Sequence, residues 1–170
     1  MTALDHNVLV RPALRTDAAA IAKIAEASWR YAYTGIIPHE FLSKTLQART
    51  ERWWRASIQS RNDGYLLLEV LGQPAGYASI GYARHRGRHE GEIYELYLDP
   101  GYQGLGFGEY LFESCRSALD TAAIRGLMVW VLKANSPARE FYLRRGGTPS
   151  KLKIDKSTGA LLPKVSYVWE

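Results

Sequence analysis

The sequence predicts an α/β fold: a mixed, mostly antiparallel central sheet flanked by helices, with one strand–helix–strand unit near its centre. Two features predict it. Residues 92–132 read, in order, as an apolar strand, a glycine-rich loop, a helix and a second apolar strand. Around this unit, short aromatic and β-branched runs separated by turn residues read as hairpins. The 170 residues carry no internal repeat, low-complexity segment or linker, so a single domain over 1–170 is expected. A chain of this length buries roughly 70% of its unfolded surface and needs no staple.

The elements follow in order. Residues 8–10, before Arg11-Pro12, form a short first strand. Thr16 or Asp17 can cap a helix by accepting an N–H bond from its first turn, and Ile21, Ile24, Ala25 and Ser28 then share one helical face. Tyr33-Thr34-Gly35 ends that helix, and Pro38 suits the first turn of another, running to Leu46. Residues 48–59 continue as helix, with Arg49, Arg52 and Arg55 outward and Trp53 as core anchor. After an Asn62-Asp63-Gly64 turn, residues 65–71 and 75–82 pair as a hairpin around Gly72-Gln73-Pro74. Residues 92–98 are the fourth strand. The main helix spans 106–124, with an inner stripe of Phe107, Tyr110, Leu111, Ser114, Cys115, Ala118, Leu119 and Ala122. Residues 127–132 are almost continuously apolar, as in a strand covered on both faces. Ser136 caps the next helix, Pro137 fits its first turn, and Gly146-Gly147 stops it. Residues 148–154 and 164–169 make a last hairpin.

Composition narrows the classes of function. The net charge is +5, from 22 basic and 17 acidic residues, which suits either nucleic acid or an anionic small ligand. Nucleic acid is disfavoured, because basic and aromatic residues do not interleave on a sheet and no RNA-binding motif is present. The densest basic run, Arg84-His85-Arg86-Gly87-Arg88-His89, lies between two strands and reads as a solvated turn; a metal site at His85 and His89 would need a helix that is not there. No metal is expected. The single cysteine, Cys115, excludes an internal disulfide and sits on an apolar stripe as a core residue. The first ten residues lack the pattern of a secretory signal, and no apolar run approaches the ~20 residues of a membrane span, so a soluble cytoplasmic protein is expected.

The loop Gln103-Gly104-Leu105-Gly106-Phe107-Gly108 carries the chemistry. Glycines let a ligand approach the backbone, and the N–H groups of the first helical turn have no partner within the helix. Such a loop cradles a phosphate or pyrophosphate. The spacing is not a dinucleotide fingerprint, since Glu109 stands where a third glycine should follow, and no Gly-Lys-Ser/Thr of a nucleotide-binding P-loop is present.

These residues resemble the Q/R-x-x-G-x-G/A motif of the GNAT superfamily of N-acetyltransferases. The segment from Asn135-Ser136-Pro137-Ala138 through Phe141-Tyr142 to Gly146-Gly147 resembles that family's N-x-x-A-x-x-F-Y-x-x-x-G-G/F segment, and the order of elements agrees over residues 8–169. The resemblance implies a GNAT-like sheet with a splayed strand pair around the cofactor site. It implies that acetyl-CoA is the acetyl donor, with its pyrophosphate on Gln103, Gly104, Leu105, Gly106, Phe107, Gly108 and Glu109. The pantetheine arm would run along the backbone of Leu96, Tyr97 and Leu98, with Asn135 hydrogen-bonded to it and Ala138 beside it. It implies Tyr142 as general acid for the departing thiolate.

For the base, the position of Glu92, eleven residues before Gln103, resembles that of the catalytic glutamate in several family members. On an alternating strand Glu92 shares a face with Tyr94, Leu96 and Leu98, while Glu95, the second candidate, shares the other with Ile93 and Tyr97. The segment that lines the acceptor in this family holds Trp29, Tyr31 and Tyr33 here, an aromatic wall for a cationic amine. The acceptor implied is the primary amine of a small molecule or peptide, and a homodimer is admitted. A non-catalytic acyl-CoA-binding or protein-interaction module on the same fold is the alternative, against which the intact Tyr142 speaks.

Overall fold

The chain closes a seven-stranded sheet in the order β1-β2-β3-β4-β5-β7-β6. The computed structural model describes residues 7–60 and 64–170. The turn expected at Asn62-Asp63, and all but the last four of the first ten residues, lie outside them. The elements are β1 (Val8–Pro12), α1 (Ala18–Tyr33), α2 (His39–Ala48), α3 (Glu51–Ile58), β2 (Gly64–Val70), β3 (Gln73–Tyr82), β4 (Gly91–Leu98), α4 (Phe107–Thr121), β5 (Leu127–Leu132), α5 (Ser136–Arg144), β6 (Thr148–Asp155) and β7 (Leu162–Trp169). Every pairing is antiparallel except β4 with β5. A parallel pair needs a long crossover, and α4 supplies it.

Two apolar layers hold the sheet. Consecutive β2 side chains alternate between them: Leu66 and Leu68 join Phe112 and Cys115 of α4, while Leu67 joins Ile21 and Ile24 of α1 and Trp54 of α3. Three adjacent leucines are thus buried because helices cover both faces of this strand. Cys115 is fully buried, and burial pushes its thiol up to about 12. It is a packing residue and no nucleophile.

Several local expectations are corrected. The β2–β3 turn is the two-residue Leu71-Gly72, with φ of 52° and 75°, closed by Val70 opposite Gln73; Pro74 lies within β3 opposite Glu69, where the register shifts. Both central residues at positive φ fit the twist of the flanking strands. Asp17 does not cap α1. Its carboxylate accepts the Leu14 N–H at 2.7 Å and pairs with Arg11 at 2.8 Å, serving a 3-10 turn, Arg15–Asp17, ahead of the helix. Asn135, not Ser136, caps α5, accepting from the Ala138 N–H at 3.3 Å.

The expected helix over 48–59 breaks at Arg49-Thr50 because Thr50 caps α3, its side chain accepting from the Trp53 N–H at 3.3 Å. The break reverses two side-chain assignments: Trp54 is the buried anchor while Trp53 is partly exposed, and Arg49 turns inward rather than outward.

On α4 the buried residues are Leu111, Phe112, Cys115 and Leu119, while Tyr110 and Ala122 are exposed. The helix ends at Thr121. Ala123 then takes φ 58°, and the Ile124 N–H donates to the Leu119 carbonyl at 3.0 Å. A left-handed alanine at this position is strained where glycine would not be. Ala123→Gly is expected to stabilise the protein by about 0.5–1 kcal/mol, read as a higher Tm; a lower Tm would contradict this cap geometry.

Candidate active site

The glycine loop leaves the end of β4 through a 3-10 turn, Pro100–Tyr102, in which the Asp99 side chain accepts the Gly101 N–H at 2.9 Å. Gln103 ties the loop back to the strand, its Nε2 donating to the Leu98 carbonyl at 3.2 Å. Gly104 and Gly106 have φ of 76° and 87°, and a Cβ built on either meets no atom within 4 Å. Gly106 directly precedes α4 and gives it no side-chain cap. The N–H groups of Phe107, Gly108 and Glu109 therefore have no partner within the helix and lie at the positive end of its dipole. Gly108 serves packing instead. A Cβ there would lie 3.2 Å from Phe141, so this glycine lets α4 approach α5. Two arginines, Arg144 and Arg145, stand at the same mouth, and Arg145 pairs with Glu109. That pairing offsets the one carboxylate that would repel an anion.

Behind the loop the sheet opens. β4 and β5 pair only from Gly91 opposite Leu127 to Ile93 opposite Val129, and no pairing continues over the rest of either strand. The opening leads into a cavity of about 540 Å3. Leu96, Tyr97 and Leu98 line one wall; Gln103, Gly104, Gly106, Gly108 and Glu109 line the mouth; Asn135, Ala138 and Tyr142 line the α5 wall. Tyr31 closes it from the α1 side. Leu105 is exposed and Phe107 packs toward the core, so their side chains do not line it. Tyr142 is 6% exposed, with its ring against Phe112, Tyr167 and Trp169. Burial pushes its hydroxyl far above the usual tyrosine range, so it stays protonated.

One insertion in β4 rearranges the face on which an acceptor was expected. Ser79 pairs with Glu95 and Ile80 with Ile93, so Tyr94 is an extra residue between consecutive register pairs. Such a bulge re-phases alternation. Ile93, Leu96 and Leu98 all face the α4 layer, whereas Tyr97 faces the α1 layer and Glu95 meets Arg49 there. The expected face sharing is corrected accordingly: Glu92, next to Ile93, points to the same side as Glu95.

The two carboxylates differ in surroundings. Glu92 is fully buried and takes three hydrogen bonds from Arg84: from the backbone N–H at 2.9 Å, Nε at 3.4 Å and Nη2 at 2.7 Å. It anchors the segment that follows β3. Glu95 pairs with Arg49 and lines a second cavity, of about 400 Å3, with Trp53, Ser79, Arg84 and Tyr94. Burial pushes the Glu95 carboxyl above its ordinary range, and the Arg49 guanidinium draws it partly back.

The three aromatic residues of the expected wall separate. Trp29 and Tyr33 pack edge to face at 5.5 Å, and the Tyr33 hydroxyl bonds the Tyr97 hydroxyl at 2.5 Å. Arg49 already lies over the Trp29 ring, 4.5 Å from its centroid, where the ammonium of an acceptor was expected. Only Tyr31 is left largely exposed. Sequence reading missed Arg49; the signal was Thr50 followed by Glu51, a capping residue before an acidic first turn.

Comparison with known proteins agrees with this fold. The model of the acetyltransferase (GNAT) family matches residues 21–147. An uncharacterised N-acetyltransferase, YuaI, of Bacillus subtilis (strain 168) is 29% identical over 165 residues, covering 95% of this chain and 92% of its own. A spermidine N(1)-acetyltransferase of Thermoplasma acidophilum is 22% identical over 155 residues, 91% of this chain and 93% of its own. Among solved structures, the PaiA N-acetyltransferase of Thermoplasma acidophilum in complex with coenzyme A superposes with a TM-score of 0.72 at 18% identity, covering 93% of this chain and 97% of that one. That likeness is one of fold.

Proposed function

This chain belongs to the acetyltransferase (GNAT) family, and we propose that it carries an acetyl group from acetyl-CoA directly to the primary amine of a small molecule or peptide. The observation that carries this reading is the divergence of β4 from β5 after Ile93 and Val129, opening onto a glycine loop at the start of α4. When bound, acetyl-CoA supplies an activated thioester. The residues present fit it. Backbone N–H groups over 104–109, with Arg144 and Arg145 beside them, hold the pyrophosphate. The bonding groups of Leu96, Tyr97 and Leu98 that neither β5 nor Gln103 meets take the pantetheine amides as a further strand would. The Asn135 carbonyl is committed to its helix cap, so its amide N–H2 is the group that donates to the arm.

Proton handling divides between the two sides of the cleft. Only about one alkylamine in a thousand is neutral at pH 7, so a group must accept the proton of the amine. Glu95 is the base in this proposal, directly or through water, in place of Glu92, whose carboxylate is committed to Arg84. Its raised pKa makes it a stronger base than an ordinary carboxylate. Tyr142, protonated at all working pH values, donates to the departing sulfur. Glu95→Gln is expected to lower kcat/KM about 10- to 100-fold and to remove the acidic limb of the pH profile. In the wild type that limb falls as pH drops, because a protonated Glu95 accepts nothing. An unchanged limb in the variant would take Glu95 out of the mechanism.

Direct transfer has its own test. Intact-mass analysis after incubation with acetyl-CoA alone is expected to show no acetyl group on the protein, since the only cysteine is buried and protonated. With a panel of polyamines, amino acids and peptides added, the acetyl group is expected on an amine nitrogen of the acceptor. A stoichiometric acetyl-protein that decays when an amine is added would overturn the direct route.

A further inference from the structure

On the side of the sheet that α1 and α3 cover over β2 and β3, the strands β5, β7 and β6 carry a basic surface that the proposed transfer does not use. Its centre is Trp130. Lys153 and Lys164 sit directly opposite each other on β6 and β7, and their ammonium groups lie 5.6 and 5.4 Å from the Trp130 ring. The ring of His85 approaches the same indole at 5.8 Å, and its Nε2 meets the Lys153 Nζ. Like charges placed directly across a strand pair repel. Partial burial and then Lys153 lower the His85 pKa. Arg86 and Lys151 extend the same trough, whose volume is about 590 Å3 and whose lining holds no carboxylate. Two neighbouring acidic groups are engaged, Asp155 with Lys164 at 3.7 Å and Glu92 with Arg84.

This trough adjoins the acceptor side. Arg84 lines both it and the cavity that contains Glu95. We infer that the surface around Trp130 seats the acidic side chains of a peptide acceptor whose amine reaches Glu95. The inference rests on the acetyl-transfer reading and names the substrate class of that site. The cations come from two separate segments, 84–86 and 151–153, and line an open trough. That layout suits several carboxylates spread along an extended chain better than one compact anion. Basic and aromatic residues do meet on this sheet, which corrects the sequence expectation, but nucleic acid fits less well, because the two lysines over the Trp130 ring occupy the surface on which a base would stack. An anionic segment on this trough relieves the repulsion between Lys153 and Lys164 and steers the acceptor toward the cleft.

The test compares two six-residue peptides with free amino termini, one bearing three carboxylate side chains and the other the corresponding amides. With saturating acetyl-CoA, the wild type is expected to favour the acidic peptide by about tenfold in kcat/KM, through KM. In the Lys153→Gln, Lys164→Gln double variant that preference falls to about one- to twofold, and the melting temperature does not drop, because a repulsion has been removed. Tryptophan fluorescence titration with the acidic peptide, without acetyl-CoA, reads the surface independently of transfer. Turnover without preference, or a preference untouched by the double substitution, overturns the inference and keeps the transferase reading. Binding of the acidic peptide with no turnover of any peptide, while a small-molecule amine is acetylated, overturns the inference and keeps the transferase reading; no turnover of any amine or peptide overturns the transferase reading. A single-stranded oligonucleotide that displaces the acidic peptide at lower concentration would assign the surface to nucleic acid instead and overturn the inference.

Discussion

Gly106→Val is expected to remove acetyl-CoA binding while leaving a folded protein. Gly106 has φ 87° immediately before α4, and nothing lies within 4 Å of the place where a Cβ would stand. A β-branched side chain there does two things. It is strained at positive φ, at about 1–3 kcal/mol, which is small beside the 5–15 kcal/mol stability of an ordinary domain. It also fills the space that a phosphate must enter to reach the first-turn amides of α4. The affinity loss is expected to be at least about 100-fold, or roughly 3 kcal/mol, measured by calorimetry alongside a circular dichroism melt. Wild-type affinity in a folded variant would remove the loop from the binding site.

Tyr142→Phe is expected to lower kcat by about 100-fold with little change in the KM for acetyl-CoA. The ring is held by Phe112 at 6.0 Å, Trp169 at 5.9 Å and Tyr167 at 6.2 Å, all of which phenylalanine keeps. Stability should therefore change by less than about 1 kcal/mol. What is lost is the hydroxyl, kept protonated by burial and placed on the wall of the cleft between the splayed strands. Unchanged turnover with a saturating acceptor would show that sulfur departs without help from Tyr142.

The loop and cleft proposed to hold the donor were legible in the sequence because their features are local. A strand, a glycine loop and a helix start follow one another in the chain, and Asn135 and Tyr142 lie on a second short segment with its own cap and stop. The side proposed for the acceptor was less legible because its geometry depends on two interruptions of regular periodicity. The bulge at Tyr94 carries no glycine or proline to announce it, yet it turns Glu95 toward Arg49 and puts Glu92 on the same side. The break between α2 and α3 did leave a trace in Thr50 and Glu51, but a continuous helix over 48–59 sends Arg49 outward. Once the break is placed, Arg49 covers Trp29 and pairs with Glu95, and the supposed aromatic wall becomes a packed cluster. The basic surface around Trp130 joins residues 84–86 to 151–153, and only the sheet order brings such distant segments together.

The most direct measurement is acetyl-CoA-dependent release of free thiol by the purified chain across a panel of polyamines, amino acids and peptides. Release that saturates with at least one amine, and that falls about 100-fold in Tyr142→Phe, is the expected result. Release no faster than the protein-free blank with every amine, from a protein that binds acetyl-CoA, would contradict the proposed transfer in this cleft.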